Sequence, residues 1–263
     1  MSRYIATSVA AISAVCLSAP GIAAAQDFYV SGSVGAGFLT DSGNSGSLSS
    51  DFTTGAGTTI PAGTALPAGT GVGWDTEFDA GFAISAAVGQ RLIDNVRGEL
   101  EIAYQSNDVD THTDVAVGGG AIGTEDAAVL ISGQNANLGV SVGDLVADGQ
   151  GSVETIYLMA NIYYDFEVPG APLKPYVGGG LGVGFVDVDY SPSNTPIVDD
   201  DASVFAYQVM AGAAFELTPL AELYGGYRYR GTTDVETDVS LFPATLDIEN
   251  QSHIVEAGVR FFF

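Results

Sequence analysis

Cysteine is almost missing from this 263-residue sequence. Its one cysteine, Cys16, lies in the first 25 residues, so the rest of the chain has no means of forming disulfides, zinc–thiolate sites or a thiol nucleophile. Basic residues are scarce as well. Seven Lys and Arg face 32 Asp and Glu, for a formal net charge of −25, and Lys174 is the sole lysine. A chain this acidic cannot neutralise a phosphate backbone, which excludes nucleic acid as a partner. Long apolar runs are absent too. No segment approaches the roughly 18–20 apolar residues of a membrane helix, yet 46% of the residues are hydrophobic and mean hydropathy is +0.26. Apolarity without apolar helices points to apolar residues spread along alternating strands.

The N-terminus reads as an export signal. Arg3 supplies a positive start, residues 5–17 are apolar, Pro20 and Gly21 follow, and Ala23-Ala24-Ala25 gives a small-x-small cleavage pattern. The cut is expected between Ala25 and Gln26, leaving residues 26–263 as a single outer-membrane barrel domain. Ser13-Ala14-Val15 before Cys16 makes a poor lipidation motif.

Eight segments alternate with a period of two: 27–39, 75–91, 96–107, 152–166, 175–190, 202–217, 221–230 and 251–263. Each can supply the roughly 9–11 residues of a tilted membrane strand. Long connections (40–74, 108–151, 191–201, 231–250) alternate with short ones (92–95, 167–174, 218–220), and the short ones carry turn chemistry in Asp94-Asn95, Pro169-Gly170 and Thr218-Pro219. The predicted fold is all-β: a transmembrane antiparallel up-and-down barrel of eight strands, with both termini in the periplasm. Segments 127–132 and 138–146 are apolar enough to be ordered. They are expected to form a hairpin extending the wall, a ten-stranded barrel being the competing reading. The Gly/Thr/Ala/Pro-rich stretch 55–73 is expected to be mobile.

The faces sort cleanly. Leu100, Ile102 and Tyr104 oppose Arg97, Glu99 and Glu101; Val255, Val259, Phe261 and Phe263 oppose Glu256 and Arg260; Leu223 and Tyr227 oppose Glu222 and Arg228. The apolar set is assigned to lipid and the charged set to the lumen. Aromatics fall in two bands, one holding Phe28, Tyr164, Phe166, Phe215, Phe261 and Phe263, the other Phe38, Phe78, Tyr104, Phe185, Phe205, Tyr207 and Tyr229. Belts at two interfaces are expected of a barrel in lipid and not of a soluble sandwich. The inward charges Asp79, Arg91, Arg97, Glu99, Glu101, Asp165, Glu216, Glu222, Arg228, Glu256 and Arg260 can pair, and an eight-stranded lumen is just wide enough to be filled by side chains. Glycines 178, 180, 182 and 184 leave room for side chains reaching across. An ion-paired core is therefore predicted rather than an open bore.

Pro175-Tyr176-Val177 with three glycines, the Gly225-to-Tyr229 run Gly-Gly-Tyr-Arg-Tyr, and the last strand from His253 with its Gly-x-Arg-aromatic end resemble the eight-stranded outer-membrane barrel families: the OmpA-like barrel, the opacity proteins and the surface antigens of proteobacteria. The resemblance implies a bacterial outer-membrane location. It implies that Val259, Phe261 and Phe263 form the signal read by the barrel-insertion machinery.

Other candidates are weaker. The four long connections hold 17 acidic residues and no Lys or Arg, so outer-membrane lipids and lipopolysaccharide are expected to be met through divalent cations. Asp199-Asp200-Asp201 and Asp108-x-Asp110 lack the spacing of a calcium loop. Gly118 to Gly123 reads G-x-G-x-x-G without the strand and helix that give it meaning. Ser252, His253 and Glu256 share a strand, but His253 faces opposite to the other two, so no nucleophile–base pair forms. No cofactor, metal or catalytic residue is assigned. The expected role is non-enzymatic, membrane-structural and surface-exposed, as an antigen or adhesin. A small porin-like channel and a lipid-modifying enzyme are the alternatives.

Overall fold

A computed structural model describes residues 28–194 and 197–263; the expected signal and cleavage site lie outside the described residues. In chain order the strands are β1 (Phe28–Leu39), β2 (Ser42–Leu48), β3 (Phe52–Thr53), β4 (Ala65–Leu66), β5 (Gly71–Phe78), β6 (Gly81–Ile93), β7 (Val96–Val117), β8 (Gly120–Ala121), β9 (Gly151–Asp165), β10 (Leu173–Tyr190), β11 (Val198–Thr218), β12 (Ala221–Thr232), β13 (Val235–Val239), β14 (Ala244–Ile248) and β15 (Gln251–Phe262). A 3₁₀ turn, Ala127–Leu130, and a short helix α1, Val142–Val146, lie between β8 and β9.

Eight strands close a barrel by antiparallel pairing in the cycle β1–β6–β7–β9–β10–β11–β12–β15–β1. Four of them, β1, β6, β12 and β15, have 12 or 13 residues, which is membrane length. The outward face there is apolar: Val34, Val88, Leu100, Leu158, Leu181, Val209 and Val255 are all exposed. Phe28, Tyr164, Phe166, Phe215 and Phe261 ring the end that carries the short turns, and Phe38, Phe82, Phe185, Phe205 and Tyr227 the end that carries the long loops. Such a belt is stable only against lipid.

The other four strands are longer. β7, β9, β10 and β11 have 22, 15, 18 and 21 residues and continue past the loop-end aromatics. There β5 pairs with β7, β2 with β5, β14 with β2, β13 with β14, and β13 with β11. A second eight-stranded barrel, the upper barrel, thus stands on the first and shares half its wall. Its polarity is inverted. Along β10 the exposed residues change from Leu181, Val183 and Phe185 to Asp187 and Asp189, while the buried ones become Val186, Val188 and Tyr190. β9 changes from Ile156 to Glu154 outside, and β7 from Ile102 to Asp108 and Asp110. The upper interior holds Leu48, Val72, Trp74, Val109, Val153, Val235, Leu246 and Ile248.

Several expectations change. Predicted segment 75–91 is two strands, since Asp79 and Ala80 end β5 and β6 starts afresh at Gly81. Phe78 packs against the upper core and does not join the lipid belt; Phe82, stacked 5.6 Å from Tyr104, takes that place. Segments 127–132 and 138–146 form the 3₁₀ turn and α1, which cap the upper barrel through Val129, Leu130 and Val142 instead of extending its wall. Residues 55–73 have a defined course. The Thr54 amide donates to Thr64, and the Gly55 and Ala56 amides donate to the carbonyls of Val129 (3.2 Å) and Gln134 (2.7 Å).

Candidate functional site: the charged lumen beneath an apolar chamber

Inward-facing positions of the membrane barrel bring nine of the eleven predicted inward charges into ion-paired groups stacked along the bore. At the turn end Arg260 donates to Glu222 (2.7 Å), and Lys174 bridges Glu222 (3.2 Å) and Glu216 (3.1 Å). Above them Arg97 bonds Glu99 (2.7 Å) and Asp165 (3.1 Å), and the Tyr29 hydroxyl donates to Glu99 (2.7 Å). At mid-height Arg228 spans Glu101 (2.6 Å) and Glu256 (2.9 Å), while Arg230 shares Glu101 (2.9 Å). Gln208 and Asn161 complete this layer. Gln208 accepts from Arg228 (2.8 Å) and Arg230 (3.0 Å) and donates to Asn161 (2.7 Å), which donates to Glu101 (2.8 Å).

Among the described residues four guanidinium nitrogens, Arg97 Nη2, Arg228 Nε, Arg230 Nη1 and Arg260 Nε, find no hydrogen-bond acceptor. The Arg97 and Arg230 planes lie over the rings of Tyr163 (3.8 Å) and Tyr157 (4.3 Å), so π faces supply part of what a carboxylate would. A small backbone makes the room. A Cβ on Gly178 would collide with the Tyr163 ring, and one on Gly180 with Asn161 Oδ1. The void left among Arg97, Glu101, Tyr163, Tyr224, Arg228 and Glu256 is about 10 Å³, no more than a single water.

A neutral layer closes the loop end of this lumen. Gln105 donates to Asn107 (2.9 Å), Asn107 to the Gly37 carbonyl (3.0 Å), Ser252 to Gln105 (3.2 Å) and Asn250 to Thr155 (3.3 Å). Higher still, inside the upper barrel, Ser42 donates to Asn44 (2.9 Å), Asn44 to Thr76 (2.6 Å), and Thr76 Oγ1 lies 2.8 Å from His112 Nδ1. Burial pushes the His112 pKa down to about 4, so the ring is neutral at ordinary pH.

Not every predicted residue joins the network. Asp79 and Arg91, assigned inward, stand exposed at the barrel mouths, and Glu216 is exposed too although it pairs with Lys174. Lys174 falls in the predicted connection 167–174, although it keeps the inward parity of Tyr176 and Gly178. Asn44 and His112 fall in stretches that read as loops, and Thr76 at the start of predicted segment 75–91. His253 is exposed and bonds the Tyr227 hydroxyl (2.6 Å), whereas Ser252 is buried, so the pair faces opposite ways. Val259, Phe261 and Phe263 are exposed on the lipid-facing side of the closing segment. Among the described residues no cluster of His, Cys, Asp and Glu has the arrangement of a metal site.

Residues 73–263 match the family model described as surface antigen. Uncharacterised proteins of Brucella abortus and Brucella melitensis are 39% identical over 80 residues, which is 27% of this chain and 28% of theirs; the match thus spans little more than a quarter of those relatives. Among solved structures, Neisserial surface protein A aligns with 91% of this chain and 98% of its own (18% identity, TM-score 0.44). The outer membrane protein OprG of Pseudomonas aeruginosa aligns with 89% and 95% (13%, 0.45), and the outer membrane protease OmpT of Escherichia coli with 89% and 97% (11%, 0.44). With a lipid-facing belt and a family match over most of its length, this is an outer-membrane surface protein, and the chain belongs to the surface antigen family.

Proposed function

We propose that the membrane barrel is a closed anchor and that its work is to hold the upper barrel at the cell surface as a non-enzymatic display module, antigenic or adhesive in role. The observation that carries this reading is the lumen. Its charges are paired across the bore, and the void at their centre is no larger than one water. The turn end belongs in the periplasm, with both termini, and the acidic loop end belongs outside. Val259, Phe261 and Phe263 serve as the insertion signal for the barrel-insertion machinery. The acidic outer face, with Asp75, Glu77, Asp187, Glu236 and Asp238 exposed, approaches lipopolysaccharide only through divalent cations. Catalysis is disfavoured because Ser252 and His253 point to opposite sides of the wall.

Planar-bilayer recording of the purified protein tests the closed bore. The expected trace has no stable conductance. Reproducible porin-sized steps overturn the reading in favour of a solute channel.

A further inference from the structure

His112 stands in the wall of an apolar chamber with one polar atom uncommitted. The Asn44 amide donates to Thr76 Oγ1, which lies 2.8 Å from His112 Nδ1; when Thr76 donates in that contact, the imidazole proton sits on Nε2. The residue is 4% exposed, and Nε2 has no hydrogen-bond partner. Burying a ring N–H without an acceptor is costly, so the site favours any guest that supplies one.

The space beside it has the shape and chemistry of a binding site. A cavity of about 30 Å³ touches His112 together with Trp74, Val115, Val142, Val146 and Leu241. A second, of about 140 Å³, lies among Leu48, Phe52, Ile60, Leu66, Ile122 and Val129. Val72, Val117, Leu130 and Phe242 form walls of both. Cavities of roughly 150 Å³ lined by such side chains accept benzene-sized guests. Below, the Gln105–Asn107–Ser252 layer and the ion-paired lumen close the floor, so the chamber is blind. Above, the β3–β4 pair and the 3₁₀ turn form its roof, joined by the Gly55-to-Val129 hydrogen bond.

Charge narrows the ligand class. The charged side chains of the surrounding loops are all acidic and repel an anion, and the apolar walls offer nothing to offset its desolvation. A cation finds no carboxylate in the lining of either cavity. We propose that the upper barrel binds an uncharged, mainly apolar small molecule whose ring sits in the larger cavity and whose acceptor oxygen reaches His112 in its Nε2–H tautomer. It enters and leaves at the loop end. This site is independent of whether the lumen conducts.

The chain has two histidines, His112 and His253, so ¹⁵N-histidine labelling of the full protein in lipid nanodiscs gives two resolvable reporters. Cyclohexanone, cyclohexane and cyclohexanecarboxylate are titrated in turn. Cyclohexanone is expected to give a saturable shift at His112 with an apparent affinity at least tenfold above that of the carboxylate and above that of the hydrocarbon, while His253 stays still. Val129→Trp, or Leu66→Trp at the partly exposed lid if the first does not fold, fills the larger cavity and is expected to abolish the response. A flat His112 signal overturns the proposal, as does a shift shared equally with His253, or one that persists in the filled variant.

Discussion

The two halves of this barrel have the same strand number and share four strands, but what is inside one is outside the other. In the membrane half, leucine, valine and phenylalanine cover the outside, and arginine, glutamate and tyrosine fill the bore. In the upper half, aspartate and glutamate cover the outside, and valine, leucine and isoleucine fill the bore. The backbone does not distinguish them: β10 runs through both without a break in register. The surrounding solvent does. Lipid tolerates charge so poorly that an outward Arg near mid-depth costs roughly 2–4 kcal/mol, so the charges turn inward and must find partners there. Water imposes the opposite choice. The crossover between Phe185 and Asp187 marks the edge of the membrane more sharply than any turn does.

The two interiors should break in different ways, and the largest effect belongs to the lower one. Glu101→Leu strips the shared acceptor from Arg228 and Arg230 and leaves two guanidinium groups buried with excess charge. A loss of about 3–5 kcal/mol is expected, read as a lower urea midpoint for protein refolded into bilayers. An unchanged midpoint would mean that ion pairs do not hold this half. Next comes Leu246→Ala in the upper core, where Leu246 is fully buried. The expected cost is about 2–5 kcal/mol, confined to the upper barrel: faster amide exchange in β2 and β14, with the membrane half still migrating as folded on unheated gels. Collapse of both halves together would erase the distinction drawn here.

Acid should single out the upper half as well. His112 is neutral when folded, with its pKa near 4, against 6.5 when exposed. Between those values the unfolded chain takes up a proton that the folded chain refuses, so stability present above about pH 6.5 is lost as pH falls toward 4, by up to about 3 kcal/mol. Exchange of β5 amides at pH 7 and pH 4.5 measures this, and His112→Gln is expected to flatten the difference. The smallest effect is at the cap. Asp126 accepts from the amides of Ala128 (3.0 Å), Leu138 (2.8 Å) and Gly139 (2.8 Å). Those hydrogen bonds hold its carboxyl below the usual range. Asp126→Asn should speed exchange at Leu138 and Gly139 and leave both barrels otherwise intact.

How much of this is legible in the sequence depends on which half is considered. Arg97, Glu99 and Glu101 alternate with Gly98, Leu100 and Ile102, and that pattern alone puts the right residues in the bore of the membrane half. The same period of two continues through Val235, Thr237 and Val239 against Glu236 and Asp238, and through Leu246 and Ile248 against Asp247. It reads as loop because the polarity is that of a soluble protein and the strands are only five residues long. Asp108 and Asp110 likewise read as the end of a membrane strand, although β7 runs on to Val117. The alternation was there to be found; what it lacked was the assumption that one strand can serve two solvents. The tertiary contacts of the chamber, with His112 brought against Thr76 and Tyr190 from distant stretches of chain, leave no local trace.

The four through-going strands also give the molecule a mechanical character. β7 exceeds β1 by ten residues, a reach of roughly 30 Å along the strand at about 3.3 Å per residue. A load applied at the crown would therefore pass along unbroken, laterally hydrogen-bonded backbone into the lipid-embedded wall, without a slack loop to take up the strain. Anything that grips the top of this protein pulls on a stiff mast stepped in the membrane.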